Sequence, residues 1–182
     1  MNKLNELIQR IGGILIRMVV YERVSSTSEI IEINAPSNSI WNAVSDVTRV
    51  PEWSPECVKV DWENVPKKNL VGSKFIGFNK RGWIRWRGYC EVVAATPEKT
   101  FSYNVKPLRW LHPMSRWTWD ITEKLEGGVK VKLSCEACYY TILGRMVFGT
   151  LEKRMAQVSK DMGVTLNRLK SSLENKNITQ KT

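Results

Sequence analysis

One histidine stands in the 182-residue chain, His112, between Leu111 and Pro113. A general base working near neutral pH is most often histidine. His112 sits in a predicted loop with no nucleophile beside it, so it is not read as a catalyst, and no catalytic residue is assigned. Long apolar runs are also missing. No stretch of about 18 uncharged apolar residues occurs, which excludes a spanning helix. The apolar stretch within residues 1–21 is interrupted by Arg17 and lacks a small-residue cleavage site, so no secretory signal is expected. Cysteines are few: Cys57, Cys90, Cys135 and Cys138. Without a signal they predict a reducing, cytoplasmic compartment. No nucleic-acid motif accompanies the net charge of +10, so no nucleic-acid partner is expected. Lys80, Arg81, Arg85 and Arg87 form one basic cluster, and the remaining excess is spread along the C-terminal segment. A solvated basic surface is the first reading and attraction to anionic lipid the second.

What is present is apolar and aromatic. Hydrophobic residues make up 42% and there are eight tryptophans. That suffices for a sizeable core in one domain. Large aromatics suit either that core or the wall of an apolar pocket.

The segment 39–62 carries the most information. Ile40, Trp41, Val44 and Val47 recur at helical spacing, after Pro36 and Ser37 at the helix start. Pro51 and Pro55 bracket Trp53 and forbid a long continuation. Val58, Val60 and Trp62 then alternate with Lys59 and Asp61, as in a half-buried strand. A strand over 25–35 precedes this helix. After a polar loop at 65–68, alternation predicts strands over 73–80, 83–95 and around Phe101, Tyr103 and Val105. Two more follow, around Trp117, Trp119 and Ile121 and over 129–137. Turns at 80–82, 96–99 and 126–128 separate them, and short turns imply an antiparallel meander. A helix over about 144–173, with Val147, Leu151, Met155, Val158, Met162, Leu166, Leu169 and Leu173 on one stripe, would span about 45 Å. Laid across a curved sheet it would close the core.

Three regions follow: an amphipathic extension at 1–24, a domain at 25–174 and a polar tail at 175–182. In the extension Leu4, Leu7, Ile8, Ile11, Ile14, Leu15 and Met18 form an apolar stripe, with Lys3, Arg10 and Arg17 on another face. Two readings stay open for it: packing on the domain or on a second copy, and peripheral contact with an anionic membrane.

The segments 45–57 (SDVTRVPEWSPEC), 78–86 (FNKRGWIRW) and 117–132 (WTWDITEKLEGGVKVK), with Ile40-Trp41 and the run 90–93, resemble the START-like (SRPBCC) superfamily. The nearest group is the polyketide cyclase/dehydrase-like, lipid-transport-like one. The resemblance covers about residues 27–172. It implies an α+β helix-grip fold: a seven-stranded curved antiparallel sheet around a long C-terminal helix, with two short helices after the first strand and a cavity between sheet and helix. Members bind hydrophobic small molecules such as lipids, sterols and polyketides, and a minority are enzymes.

The expected ligand-binding set is Trp53, Phe75, Asn79, Trp86, Cys90, Tyr103, Trp119, Leu133 and Cys135, met by Met155 and Met162 from the helix. Asn79 and Tyr103 would orient a ligand. Cys135-x-x-Cys138 is not read as a metal or redox site, because strand residues three apart face opposite ways. No metal and no cofactor are expected. The first function expected is binding or carriage of a lipid- or polyketide-like molecule without catalysis. The alternative is a cyclase or dehydratase using Asn79, Tyr103 and Glu136. A second alternative is a regulatory or assembly module docking through residues 1–24.

Overall fold

The structure, a computed structural model, describes residues 20–21, 25–64, 69–125, 127–137, 140–141 and 146–179. The expected stripe at 4–18, the loop at 65–68 and Cys138 lie outside the described residues. The strands are β1 (Val20–Tyr21), β2 (Ser25–Ile33), β3 (Cys57–Trp62), β4 (Lys74–Arg81), β5 (Ile84–Thr96), β6 (Thr100–Lys106), β7 (Ser115–Glu123), β8 (Val129–Ala137) and β9 (Tyr140–Thr141). Helix α1 (Ser37–Ser45) and a 3-10 helix (Val47–Glu52) follow β2, and α2 (Leu151–Thr179) closes the chain.

Seven strands form one antiparallel sheet in the order β2-β8-β7-β6-β5-β4-β3, while β1 pairs with β9 apart from it. This is the expected helix-grip architecture. Alternation becomes geometry most plainly in β8, where Val129, Val131, Leu133, Cys135 and Ala137 are all buried. α2 lies chiefly across β2. Its residues Val158, Met162, Leu166 and Leu169 enter one core with Ile33, Phe101 and Val131. Each such side chain contributes on the order of 1.5–3 kcal/mol by leaving water.

Turns and caps explain the joints. Gly82 takes φ +59 at the first position of the two-residue turn joining β4 to β5, a conformation a side chain would resist. α1 ends at Ser45, earlier than the prolines demand. Asp46 then starts the 3-10 helix, its carboxylate accepting from the Thr48 N–H at 3.2 Å.

Three expectations need correction. Val58 is 56% exposed rather than inward. A bulge between Cys57 and Lys59 shifts the register, so Cys57 and Val60 take the inward places. The long helix begins at Leu151, not near 144, because Gly149 adopts φ +80 and interrupts the helical path. Val147 is therefore exposed instead of joining the buried stripe. At the other end α2 continues to Thr179, into the segment read as a polar tail.

Candidate functional site

The inward faces of the strands stack in register and leave a hollow under α2. Asn79 stands beside Trp86, Gly77 beside Gly88, and Phe75 beside Cys90, which neighbours Val105. Tyr103, Trp117 and Cys135 form one row across β6, β7 and β8, and Phe101, Trp119 and Leu133 form the next. Leu151, Met155, Val158 and Met162 of α2 roof these rows, and Trp53 closes one flank. The result is a mostly apolar cavity of about 230 Å³. All eleven residues of the expected set line it, from Trp53 and Phe75 to Met155 and Met162. The structure brings them together around one hollow.

The two facing glycines play different parts here. A Cβ on Gly77 would meet only the Asn79 Nδ2 atom, at 3.8 Å. A Cβ on the facing Gly88 would instead meet Val105 Cγ1 at 2.9 Å, so that glycine answers a close approach of β6, while Gly77 leaves volume that an ordinary strand residue would fill.

Polar groups inside are few and held neutral. Burial pushes the Tyr103 phenol well up from its ordinary value, and the nearby Cys90, Cys57 and Cys135 thiols add to this. It stays an O–H donor, and among the described residues it makes no hydrogen bond. Its ring packs edge-on to Phe75, with centroids 5.2 Å apart. Burial also raises the Cys57 thiol to about 11 and Cys90 higher still. Neutral thiols are poor nucleophiles and poor metal ligands. Asn79 donates to the Gly77 carbonyl at 3.3 Å. The indole N–H of Trp53 is buried with no acceptor among the described residues. The Arg49 guanidinium lies over its ring, 5.2 Å from the centroid.

One end of the cavity is ionic, and the sequence reading missed it. Glu56 accepts from Arg81 Nε at 2.6 Å and from Arg154 Nη1 and Nη2 at 2.7 and 2.9 Å. Arg81 also binds Asp161, which accepts from Gln157 at 3.0 Å. Burial is the largest single influence on Glu56 and pushes its carboxyl up. The bonds and charges of Arg154 and Arg81 together outweigh it and hold the group below the usual carboxylate range. Arg154 also sits over Phe148, at 4.8 Å, and Phe148 meets Trp86 edge-on at 5.2 Å. These groups rim the mouth.

Other singled-out residues fall elsewhere. Glu136 is exposed on the outer face of β8, opposite Arg116, so it cannot act inside the cavity. His112 is exposed in the loop between β6 and β7. Cys57 and Cys90 form no disulfide, and both are buried, as is Cys135. Among the described residues no three His, Cys, Asp or Glu side chains gather as metal ligands, and no helix is long and apolar enough to cross a membrane.

Solved structures share this arrangement. The Polyketide_cyc-like protein Cgl2372 from Corynebacterium glutamicum is 26% identical, with 85% of this chain and 94% of that chain covered and a TM-score of 0.54. The Zhui aromatase/cyclase from a Streptomyces species is 14% identical, over 84% and 94% of the two chains, with a TM-score of 0.64. The major latex-like protein 151 of Panax ginseng is 11% identical, over 82% and 97%, with a TM-score of 0.62. The last two likenesses show the fold alone. None of the curated proteins matches the chain in sequence. The family described as polyketide cyclase / dehydrase and lipid transport matches residues 23–174. With that match over most of its length, the chain belongs to the polyketide cyclase / dehydrase and lipid transport family.

Proposed function

We propose that the protein binds and carries a hydrophobic small molecule in the cavity between sheet and helix, without catalysis. The observation that carries this reading is the wall: apolar on most sides and left open beside Gly77, where no side chain fills the space. An apolar cavity of about 150 Å³ already accepts benzene. The 230 Å³ here suits a ligand of about two rings or a short acyl chain, with longer ligands extending through the mouth. The Tyr103 hydroxyl and Asn79 supply the few polar contacts that orient such a ligand.

A second reading, cyclase or dehydratase chemistry, draws support from the family and from the likeness to an aromatase/cyclase. Two carboxylates do line the cavity, Glu56 and Asp161. Each is bonded to arginine, and Glu56 is held ionised, which suits a structural latch better than a proton shuttle. The carrier reading therefore comes first.

Native mass spectrometry of the purified protein, followed by solvent extraction, tests it. A stoichiometric apolar mass, or uptake from a panel of lipids and polycyclic aromatics, is the expected result. A clean mass with no uptake from the panel would overturn it.

A further inference from the structure

The β4–β5 hairpin carries features that the cavity does not use. β6 pairs with β5 only from Tyr89 onward, opposite Lys106, so Ile84 to Gly88 have a neighbour only in β4. At about 3.4 Å per residue, the tip stands roughly 17 Å beyond the last β5–β6 pair. At that tip Trp83 is 90% exposed, an unusual position for the largest apolar side chain.

The outer face behind the tip is basic. Lys80 and Arg85 stand directly opposite one another, and Arg87 lies two pairs further back on the same face, opposite Phe78. Like charges placed opposite on a sheet repel. Among the described residues Lys80, Arg85 and Arg87 make no ion pair, and the nearby Asp61 is taken by Lys59 at 2.7 Å. A cross-strand pair of cations without a counter-ion calls for an anion from outside. The same hairpin forms part of the mouth, since Arg81 belongs to the rim network and Trp86 faces the cavity.

We propose that the β4–β5 hairpin docks the protein on an anionic lipid bilayer, Trp83 entering the interface while Lys80, Arg85 and Arg87 meet the headgroups. Indole rings favour the boundary between headgroup and chain, and each cation near an anionic leaflet strengthens binding about fivefold. Docked this way, the mouth opens beside the bilayer, the source or destination of an apolar cargo. The purpose rests on the carrier reading; the docking itself does not.

The test is co-sedimentation of the full chain with phosphatidylcholine vesicles containing about one third phosphatidylserine, against pure phosphatidylcholine. Preference for the anionic vesicles, weakening with salt, is expected. The variant Lys80→Gln/Arg85→Gln/Arg87→Gln should bind about a hundredfold more weakly. Trp83→Ser should bind about tenfold more weakly. None of these four side chains lines the cavity, so apolar-ligand uptake, measured on the same samples, should persist in both variants. No sedimentation of the wild type would overturn the proposal, as would retention on a polyglutamate matrix without vesicle binding, which marks an acidic protein partner. Unchanged sedimentation of both variants would overturn it in favour of another surface, such as residues 1–24. Loss of ligand uptake by the wild type would instead strike the carrier reading and leave the docking result standing.

Discussion

Arg154 grips Glu56 with two parallel bonds, Nη1 to Oε1 at 2.7 Å and Nη2 to Oε2 at 2.9 Å, and so ties the start of α2 to the entry of β3. Bidentate pairs of this kind fix orientation as well as distance. Arg81 brings the end of β4 to the same carboxylate. One residue thus fastens three elements around the cavity mouth.

Glu56→Gln should lower stability by about 2 kcal/mol. That is less than the ~3–5 kcal/mol for breaking a fully buried pair, because these side chains keep some solvent contact. Thermal denaturation should show a drop in melting temperature of about 4–8 °C. A melting temperature equal to wild type would mean that the grip contributes nothing.

The same pair gives a pH signature. The Glu56 carboxyl is held below its ordinary value of 4.5 in the folded state. Its contribution is therefore complete above the unfolded value and is lost as pH falls through the lower folded-state value. Urea unfolding followed between pH 7 and pH 3 should show wild type losing stability more steeply than Glu56→Gln on the acid side of about 4.5. Parallel curves would assign the acid loss to other groups.

Gly77→Leu should fill the cavity rather than break the fold. A Cβ there meets only Asn79 Nδ2, at an ordinary contact distance of 3.8 Å, and Gly77 lines the cavity. Uptake of an apolar probe should fall at least tenfold, while the melting temperature stays level or rises, since a strand glycine is replaced. Full uptake in this variant would place ligand binding elsewhere.

Tyr103→Phe separates orientation from burial. Among the described residues the hydroxyl has no protein partner to lose, so stability should hold. Affinity for a naphthol should fall about three- to tenfold, with naphthalene unaffected, as one hydrogen bond is removed. Calorimetry with both ligands checks this; an equal loss for both would make Tyr103 a shape element only.

Thiol reactivity reports the burial of the cysteines. In a Cys138→Ser background, Cys57, Cys90 and Cys135 should resist a disulfide reagent at pH 7.5 and react together in urea, because burial raises the Cys57 and Cys90 thiols and Cys135 is itself buried. Rapid labelling of one thiol in the native protein would reveal an open path to it.

The sequence by itself determined the period of each element and hence its two faces. Alternation placed Phe75, Asn79, Tyr103 and Cys135 on one side of the sheet, and the spacing from Leu151 to Leu173 set the buried stripe of α2. Periodicity could do this because side-chain direction is fixed by local backbone geometry. Only the tertiary structure decided where faces from distant segments meet. Glu56 and Arg154 lie 98 residues apart, and no local pattern marks either one for the other. Val58 turned outward because a bulge moved the register by one residue, and Val147 was left exposed because Gly149 cuts it off from α2. Such single-residue departures arise from pairing across the sheet and from packing against it, which a one-dimensional period does not contain.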